Sequence, residues 1–152
     1  MKKVILFFGT GGGVGYFPFF PGTAGTLWGV VVCFFIQRLG GGYIPQLVVT
    51  GGILFLAVFV SGKCEKILEK KDHRVIVIDE IAGFMVALAG IPFSNFSLIL
   101  GFFLFRLFDI FKPFHIDRLQ ELPGGWGVVS DDVAAGALTN ILLRILFSMA
   151  GF

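Results

Sequence analysis

The chain has 152 residues, of which 56% are hydrophobic and only 14% charged, with a mean hydropathy of +0.91 and a formal charge of +2. A soluble domain averages about 25% charged residues; a chain this size cannot hide twenty phenylalanines from water, so the composition points to a bilayer as solvent. The weak charge gives no footprint for nucleic acid, the length allows a single domain over residues 1–152, and Cys33 and Cys64, with no CxxC or Cys/His cluster, argue against zinc and against a disulfide framework.

Lys2 and Lys3 precede a short apolar run, but glycines follow and no A-x-A-like site appears, so this start is expected to be retained. Residues 4–26 are apolar yet too rich in Gly and Pro for regular helix. In hydrocarbon such a backbone must be satisfied by protein, or it lies at the interface. Pro21-Gly22-Thr23-Ala24-Gly25-Thr26 has two readings. One is a turn that re-aims the chain. The other is a phosphate site: Thr23 or Thr26 caps a helix starting at Leu27, and free N–H groups with the close-approach Gly25 meet an anion. Residues 27–37 are too short to span alone; with 23–26 included they cross obliquely or re-enter. Gly40-Gly41-Gly42 reads as a turn.

Residues 43–61 form the clearest spanning helix, about 19 residues at 1.5 Å each against a ~30 Å core. Gly51-Gly52 inside it implies close helix packing. Residues 62–74 then carry Lys63, Glu65, Lys66, Glu69, Lys70, Lys71, Asp72, His73 and Arg74, an amphipathic helical extension or a solvated loop outside the membrane. Residues 75–91 are apolar again, with Asp79-Glu80 near their start. Residues 96–111 follow the Pro92/Asn95 turn and hold Arg106 and Asp109 near their end. Residues 133–152 are a last spanning candidate, containing Arg144. The expected fold class is all-α: a polytopic membrane protein of about four to five membrane-embedded helices, with an irregular Gly/Pro-rich N-terminal segment and polar loops on the cytoplasmic side. That orientation follows because Lys2/Lys3 and the basic loops 63–74 and 112–118 fall on one side when 27–39/43–61 and 75–91/96–111 form two hairpins.

All ten acids lie between Glu65 and Asp132. Asp79, Glu80, Arg106 and Asp109 stand within or at the edge of apolar segments. Each costs roughly 2.5–3.5 kcal/mol at mid-bilayer, and four unpaired about 10 kcal/mol. They therefore sit near the interface, pair, or bind something. Arg106 and Asp109, at i,i+3, can form a simple salt bridge, and Asp131 or Asp132 a simple N-cap. If Asp79, Glu80, Asp109, Asp131 and Asp132 converge, however, they outnumber the neighbouring Arg106 and Lys112. A hard divalent cation such as Mg²⁺ suits that oxygen-only set, and it binds typically through carboxylates plus substrate phosphate. Arg106 and Lys112 then hold the phosphate oxygens. The turn Gly124-Gly125-Trp126-Gly127 lets the chain fold back so that Asp131 and Asp132 meet Asp109. Other phosphate chemistries leave no trace: Cys33 to Arg38 is one residue short of a C-x5-R loop, no D-x-D-x-T motif occurs, and His73 and His115 stand alone.

Three blocks occur in order: G-x-G-x-x-P-x-x-P-G-T-x-G-T at residues 13–26; D-H-x(4)-I-D-E-x-x-G from Asp72 to Gly83; and R-x-F-D-I-x-K-P from Arg106, followed by G-G-x-G and D-D-x-x-A-G ending at Gly136. In these blocks the chain resembles the phosphatidylglycerophosphatase A family over roughly residues 9–140. It departs from the family pattern at Phe114-His115, where a further proline is usual. The resemblance implies a Mg²⁺-dependent enzyme of the bacterial inner membrane, multi-pass and with its site on the cytoplasmic side. Its lipid substrate is phosphatidylglycerophosphate, hydrolysed to phosphatidylglycerol and phosphate. It also implies that Asp79, Glu80, Asp109, Asp131 and Asp132 form the catalytic, metal-binding centre. The expected partners are this phospholipid and the surrounding membrane lipids, with no nucleic acid; the sequence specifies no oligomeric state. The alternative is a small proton- or ion-coupled transporter using intramembrane carboxylates, but no internal repeat is visible and the acids cluster toward one side. A lipid phosphotransferase is a further rival whose spaced D-G…A-R…G…D…D signature is absent.

Overall fold

One ten-residue helix is enclosed by all the longer ones. The computed structural model describes residues 1–40 and 42–150; Gly41, at the centre of the expected glycine turn, and Gly151 and Phe152, at the end of the last expected span, lie outside the described residues. The helices are α1 (Lys2–Gly9), α2 (Pro21–Arg38), α3 (Tyr43–Leu68), α4 (Ile78–Ala87), α5 (Asn95–Phe111) and α6 (Gly125–Met149), with short 3₁₀ segments at Val14–Tyr16 and Pro113–Glu121 and no strand among the described residues. Helix α4 touches α2, α3, α5 and α6. Eight of its residues are buried, among them Phe84 and Met85, and Phe84 meets Phe105 of α5 edge-on with ring centroids 6.0 Å apart.

Small residues set how close α4 comes to its neighbours. A methyl group added at Gly83 would stand 2.7 Å from the carbonyl oxygen of Asp132, and one at Gly136 would overlap the carbonyl of Gly83. The α4–α6 crossing is thus backbone against backbone. Gly62 of α3 and Gly125 of α6 make a second such contact. With Gly22 against Glu80 and Gly29 against Phe84, and with Gly101 against Leu88 and Leu143, these contacts run α2, α4 and α6 in one direction and α3 and α5 in the other. The start of α4 is pinned by the Val77 N–H, which donates to the carbonyl of Gly9 at 2.9 Å.

Ten residues rise about 15 Å, half of a ~30 Å hydrocarbon core, so a helix that begins at the polar end stops near mid-depth. Its last carbonyls then have no water to meet. Side chains from both long helices supply the donors. Gln46 Nε2 donates to the Leu88 carbonyl at 2.7 Å. Asn140 Nδ2 shares its two N–H bonds among the carbonyls of Val86, Ala87 and Ala89, at 3.2, 3.0 and 2.9 Å. Arg144 Nη2 adds a bond to Ala89 at 3.0 Å, while its Nε holds Asn140 Oδ1 at 2.8 Å. Arg144 inside an apolar helix is thereby explained.

The expected count of membrane helices needs correction. Among the described residues two helices, α3 and α6, are long and apolar enough to cross a membrane, fewer than four to five. Residues 75–91 are apolar because protein buries them: the helix begins at Ile78, ends at Ala87, and turns through Gly90 at φ +69. Helix α5 has 17 residues, and α2 starts at Pro21, so its first turns are the Gly/Thr-rich segment and not a preceding turn. The irregular N-terminal segment is confined to residues 10–20; residues 2–9 are helical. Close packing at Gly51-Gly52 is also overturned: both face outward with nothing within 4 Å of an added methyl, and α3 makes its close approach one end further on, at Gly62. The outer faces remain apolar, with Ile44, Val48, Phe55 and Phe59 exposed on α3, Phe103 and Ile110 on α5, and Ile141 and Ile145 on α6. These surfaces and the two long helices indicate association with a membrane.

Replacing Asn140 with leucine removes one donor from three carbonyls. The variant is expected to lose about 1–3 kcal/mol of stability, read as a lower unfolding midpoint in detergent. An unchanged midpoint would show that those carbonyls do not depend on Asn140.

Candidate active site

Three helix ends meet at the pole opposite the Asn140 cap. Asp79 and Glu80 lie in the first turn of α4, where the helix dipole favours acids. Asp131 and Asp132 lie in the second turn of α6, and Arg106 and Asp109 in the last two turns of α5, which closes on Lys112 at φ +44. Oxygen atoms of Asp79, Glu80 and Asp132 all stand within 4.8 Å of one another. Asp79, Asp131 and Asp132 are each only 4% exposed. The Asp109 carboxylate pairs with Arg106 and is near enough to act electrostatically on Asp132 and Glu80. Lys112 pairs with Asp131. The five acids named from the sequence are therefore gathered in one place, facing two cations.

The pairing is incomplete. Asp79 Oδ1, Glu80 Oε2, Asp131 Oδ1 and Arg106 Nε are buried with no hydrogen-bond partner. A buried ionised oxygen without a donor is costly, and a ring of them attracts a cation. Every available donor atom is a carboxylate oxygen, the set that hard divalent ions prefer.

The residues expected on phosphate divide. Arg106 Nη1 reaches Thr26 Oγ1 at 3.5 Å, and Thr26 in turn donates to the Gly22 carbonyl at 2.9 Å. Gly22 lies against the site: a methyl there would come 2.5 Å from Glu80 Oε1 and 3.3 Å from Arg106 Nη1. The amino end of α2 thus borders the acids through Gly22 and Thr26. Gly25 instead packs on Val77, whose Cβ would stand 2.7 Å from a methyl added there, and Thr23 lines an outward apolar groove with Phe17, Leu27 and Val31. A larger groove, about 590 Å³, runs between α3 and α6 past Phe55, Phe59 and Trp126 and holds no carboxylate.

Two further polar residues reach the cluster. Gln120 Nε2 donates to Asp131 Oδ2 at 2.8 Å and to Asp72 Oδ2 at 3.2 Å. Asp72 belongs to the second sequence block, but reads there as one more charge of a solvated loop. Nothing in the sequence marks Gln120. Burial first, and then the nearby charge of Asp131, push the Asp72 carboxyl above its ordinary value, with Lys112 opposing. For Lys112, burial by itself lowers the ammonium, but the hydrogen bond and charge of Asp131, with Asp132 and Asp109 behind, reverse this and raise it. The lysine is thus held charged.

Residues 7–147 match the model of the family described as phosphatidylglycerophosphatase A. The chain belongs to that family. It is 37% identical over 125 residues to a phosphatidylglycerophosphatase A of Haemophilus influenzae, covering 81% of this chain and 76% of the relative. It is 32% identical over 138 residues to the phosphatidylglycerophosphatase A of Escherichia coli, covering 90% and 79%. A Bacteroides thetaiotaomicron protein whose provisional name is phosphatidylinositol-3-phosphatase is 34% identical over 143 residues, covering 90% and 89%. No solved structure matches significantly. Membership of this family makes the chain a phosphatase and leaves the transporter alternative without support.

Gly83 to alanine forces a methyl against the Asp132 backbone, which cannot yield as a side chain would. The change is expected to cost about 1–3 kcal/mol through overpacking and to lower phosphatase activity by displacing Asp132. Gly52 to alanine, with open space around it, is expected to be neutral or to stabilise by up to about 1 kcal/mol. Unfolding midpoints of the two variants in detergent check the contrast; equal midpoints would contradict it.

Proposed function

We propose that this chain is a Mg²⁺-dependent lipid phosphatase that hydrolyses phosphatidylglycerophosphate to phosphatidylglycerol and phosphate, as a multi-pass protein of the bacterial inner membrane with its site on the cytoplasmic side. The observation that carries this is the convergence of Asp79, Glu80 and Asp132 within 4.8 Å at one pole of an apolar bundle. The unpartnered buried oxygens and the all-carboxylate donor set fit Mg²⁺. Asp79, Glu80 and Asp132 would hold it, with Asp109 and Asp131 beside them. When bound, Mg²⁺ supplies positive charge against the phosphoryl oxygens. Basic residues support the orientation: Lys2, Lys3, Lys63, Lys66, Lys70, Lys71, Arg74, Lys112 and Arg118 all belong to the acid-bearing pole or the segments joined to it, whereas Arg38 and Arg144 lie toward the other.

The chain's own groups divide the remaining work. The acyl chains stay in lipid beside the apolar helix faces, and only the terminal phosphate enters. Arg106 offers its unpartnered Nε, and Lys112 can exchange Asp131 for a phosphate oxygen; charge-assisted bonds of this kind strengthen as the phosphoryl group transfers. Gly22 and Thr26 bring the positive end of α2 to the same place. The unpaired Oδ1 of Asp131, which is not among the three carboxylates that would hold the ion, takes a proton from water as the water oxygen attacks phosphorus. The bond from phosphorus to the glycerol oxygen breaks, and that oxygen leaves with the proton.

Purified protein in detergent is expected to release phosphate from phosphatidylglycerophosphate, to stop on addition of EDTA, and to recover with Mg²⁺. Asp79→Asn and Asp132→Asn are each expected to reduce kcat at least about 100-fold while circular dichroism stays helical. Because of the name carried by the Bacteroides relative, phosphatidylinositol 3-phosphate is the competing substrate to assay in parallel. Faster turnover of that lipid would replace the substrate named here, and full activity in Asp132→Asn would remove the metal-site assignment.

A further inference from the structure

Asp131 has two oxygens in different circumstances. Its Oδ2 receives Lys112 and Gln120, and its Oδ1 is buried with no partner. The terminal torsion of an aspartate is broad and two-fold, so something must decide which oxygen faces inward. Lys112 is a flexible ammonium, and in the functional reading above it turns to the substrate. Gln120 is neutral and stays. Its amide nitrogen has two N–H bonds, and both are used, on Asp131 at 2.8 Å and on Asp72 at 3.2 Å. An amide oxygen there would face two acceptors, so the nitrogen is the only end that fits.

The backbone is shaped to bring Gln120 to this place. Lys112, Phe114 and His115 adopt φ of +44, +61 and +62, which turns the chain back across the first turn of α6. Gly127 has no room for a side chain there, because the carbonyls of Gln120 and Leu122 occupy the space. On the other side Asp72 sits at φ +45, and its N–H donates to Glu65 Oε1 at 2.9 Å. Left-handed φ in residues other than glycine is uncommon and persists where the surroundings enforce it. Gln120 therefore joins the α5–α6 connection to the α3–α4 connection over the carboxylates.

We propose that Gln120 is a positioning residue for the phosphatase reaction: it fixes Oδ1 of Asp131 toward the reaction centre, with Asp72 as its second anchor. The inference rests on the acid cluster being the phosphatase centre. The test uses the full chain in detergent with phosphatidylglycerophosphate. Gln120→Ala is expected to lower kcat about 10- to 100-fold, as loss of an orienting partner does, with KM changed no more than about twofold. Asp72→Ala lowers kcat less. The double variant is no slower than Gln120→Ala alone, because Asp72 acts through Gln120. Asp72→Asn, whose amide oxygen still accepts, is expected to recover most of what Asp72→Ala loses. Should Gln120→Ala not fold, Gln120→Leu, of similar size but with no N–H to give to either carboxylate, must show the same loss of kcat.

The inference is overturned by wild-type kcat in the Gln120 variants, by an effect confined to KM, by additive losses in the double variant, or by Asp72→Asn as slow as Asp72→Ala. An inactive wild-type protein would overturn the functional reading and this inference with it. An active wild type with indifferent Gln120 variants overturns this inference alone.

Discussion

Carboxylates removed from water in an apolar bundle must be neutralised, paired or supplied with a cation, and the rest of this structure follows from that constraint. Asp79, Glu80 and Asp132 crowd together, and Asp109 and Asp131 each take one basic partner. The cations at hand are too few to balance them. Mutual repulsion would drive such a cluster apart unless the scaffold were stiffer than the repulsion. The scaffold is stiff because α4 and α6 touch through backbone at Gly83 and Gly136, where neither helix has a side chain to yield.

Helix α4 links this pole to the membrane interior. Its first turn presents acids where the dipole favours them, and its last turn points its carbonyls into a region without water. Gln46, Asn140 and Arg144 meet those carbonyls. A short helix with both ends served by neighbours allows the site to stand on protein-buried secondary structure and not on a loop. The longer helices then keep their outer faces apolar for lipid. A phosphate can meet the acids at the polar end while hydrocarbon lies alongside, which is the arrangement a phosphatase acting on a lipid requires.

Apolar surface was the signal most easily misread in the sequence. Residues 75–91 and 43–61 have similar hydropathy, yet the first is covered by other helices and the second faces outward. Composition registers that a segment avoids water and not what replaces the water. Gly51-Gly52 misled for the same reason, since a glycine pair marks permission for close approach and not the approach itself. Conversely, Asp79, Glu80, Asp109, Asp131 and Asp132 stood out because charge is rare in this chain, so each occurrence demanded a partner. Gln120 carried no such mark, because an uncharged amide in a polar loop is ordinary until its neighbours are known.

By itself, the sequence determined the all-helical character, the membrane setting, the family and the acids that belong together, because hydrophobic runs, scarce charges and glycine-rich blocks are local properties of the chain. Tertiary structure decided which apolar helix is enclosed and which meets lipid, which glycines are contact points, and that Asp72 and Gln120 reach Asp131 from distant positions. Those outcomes depend on what lies across the gap from each residue, and a linear order of residues does not contain that distance.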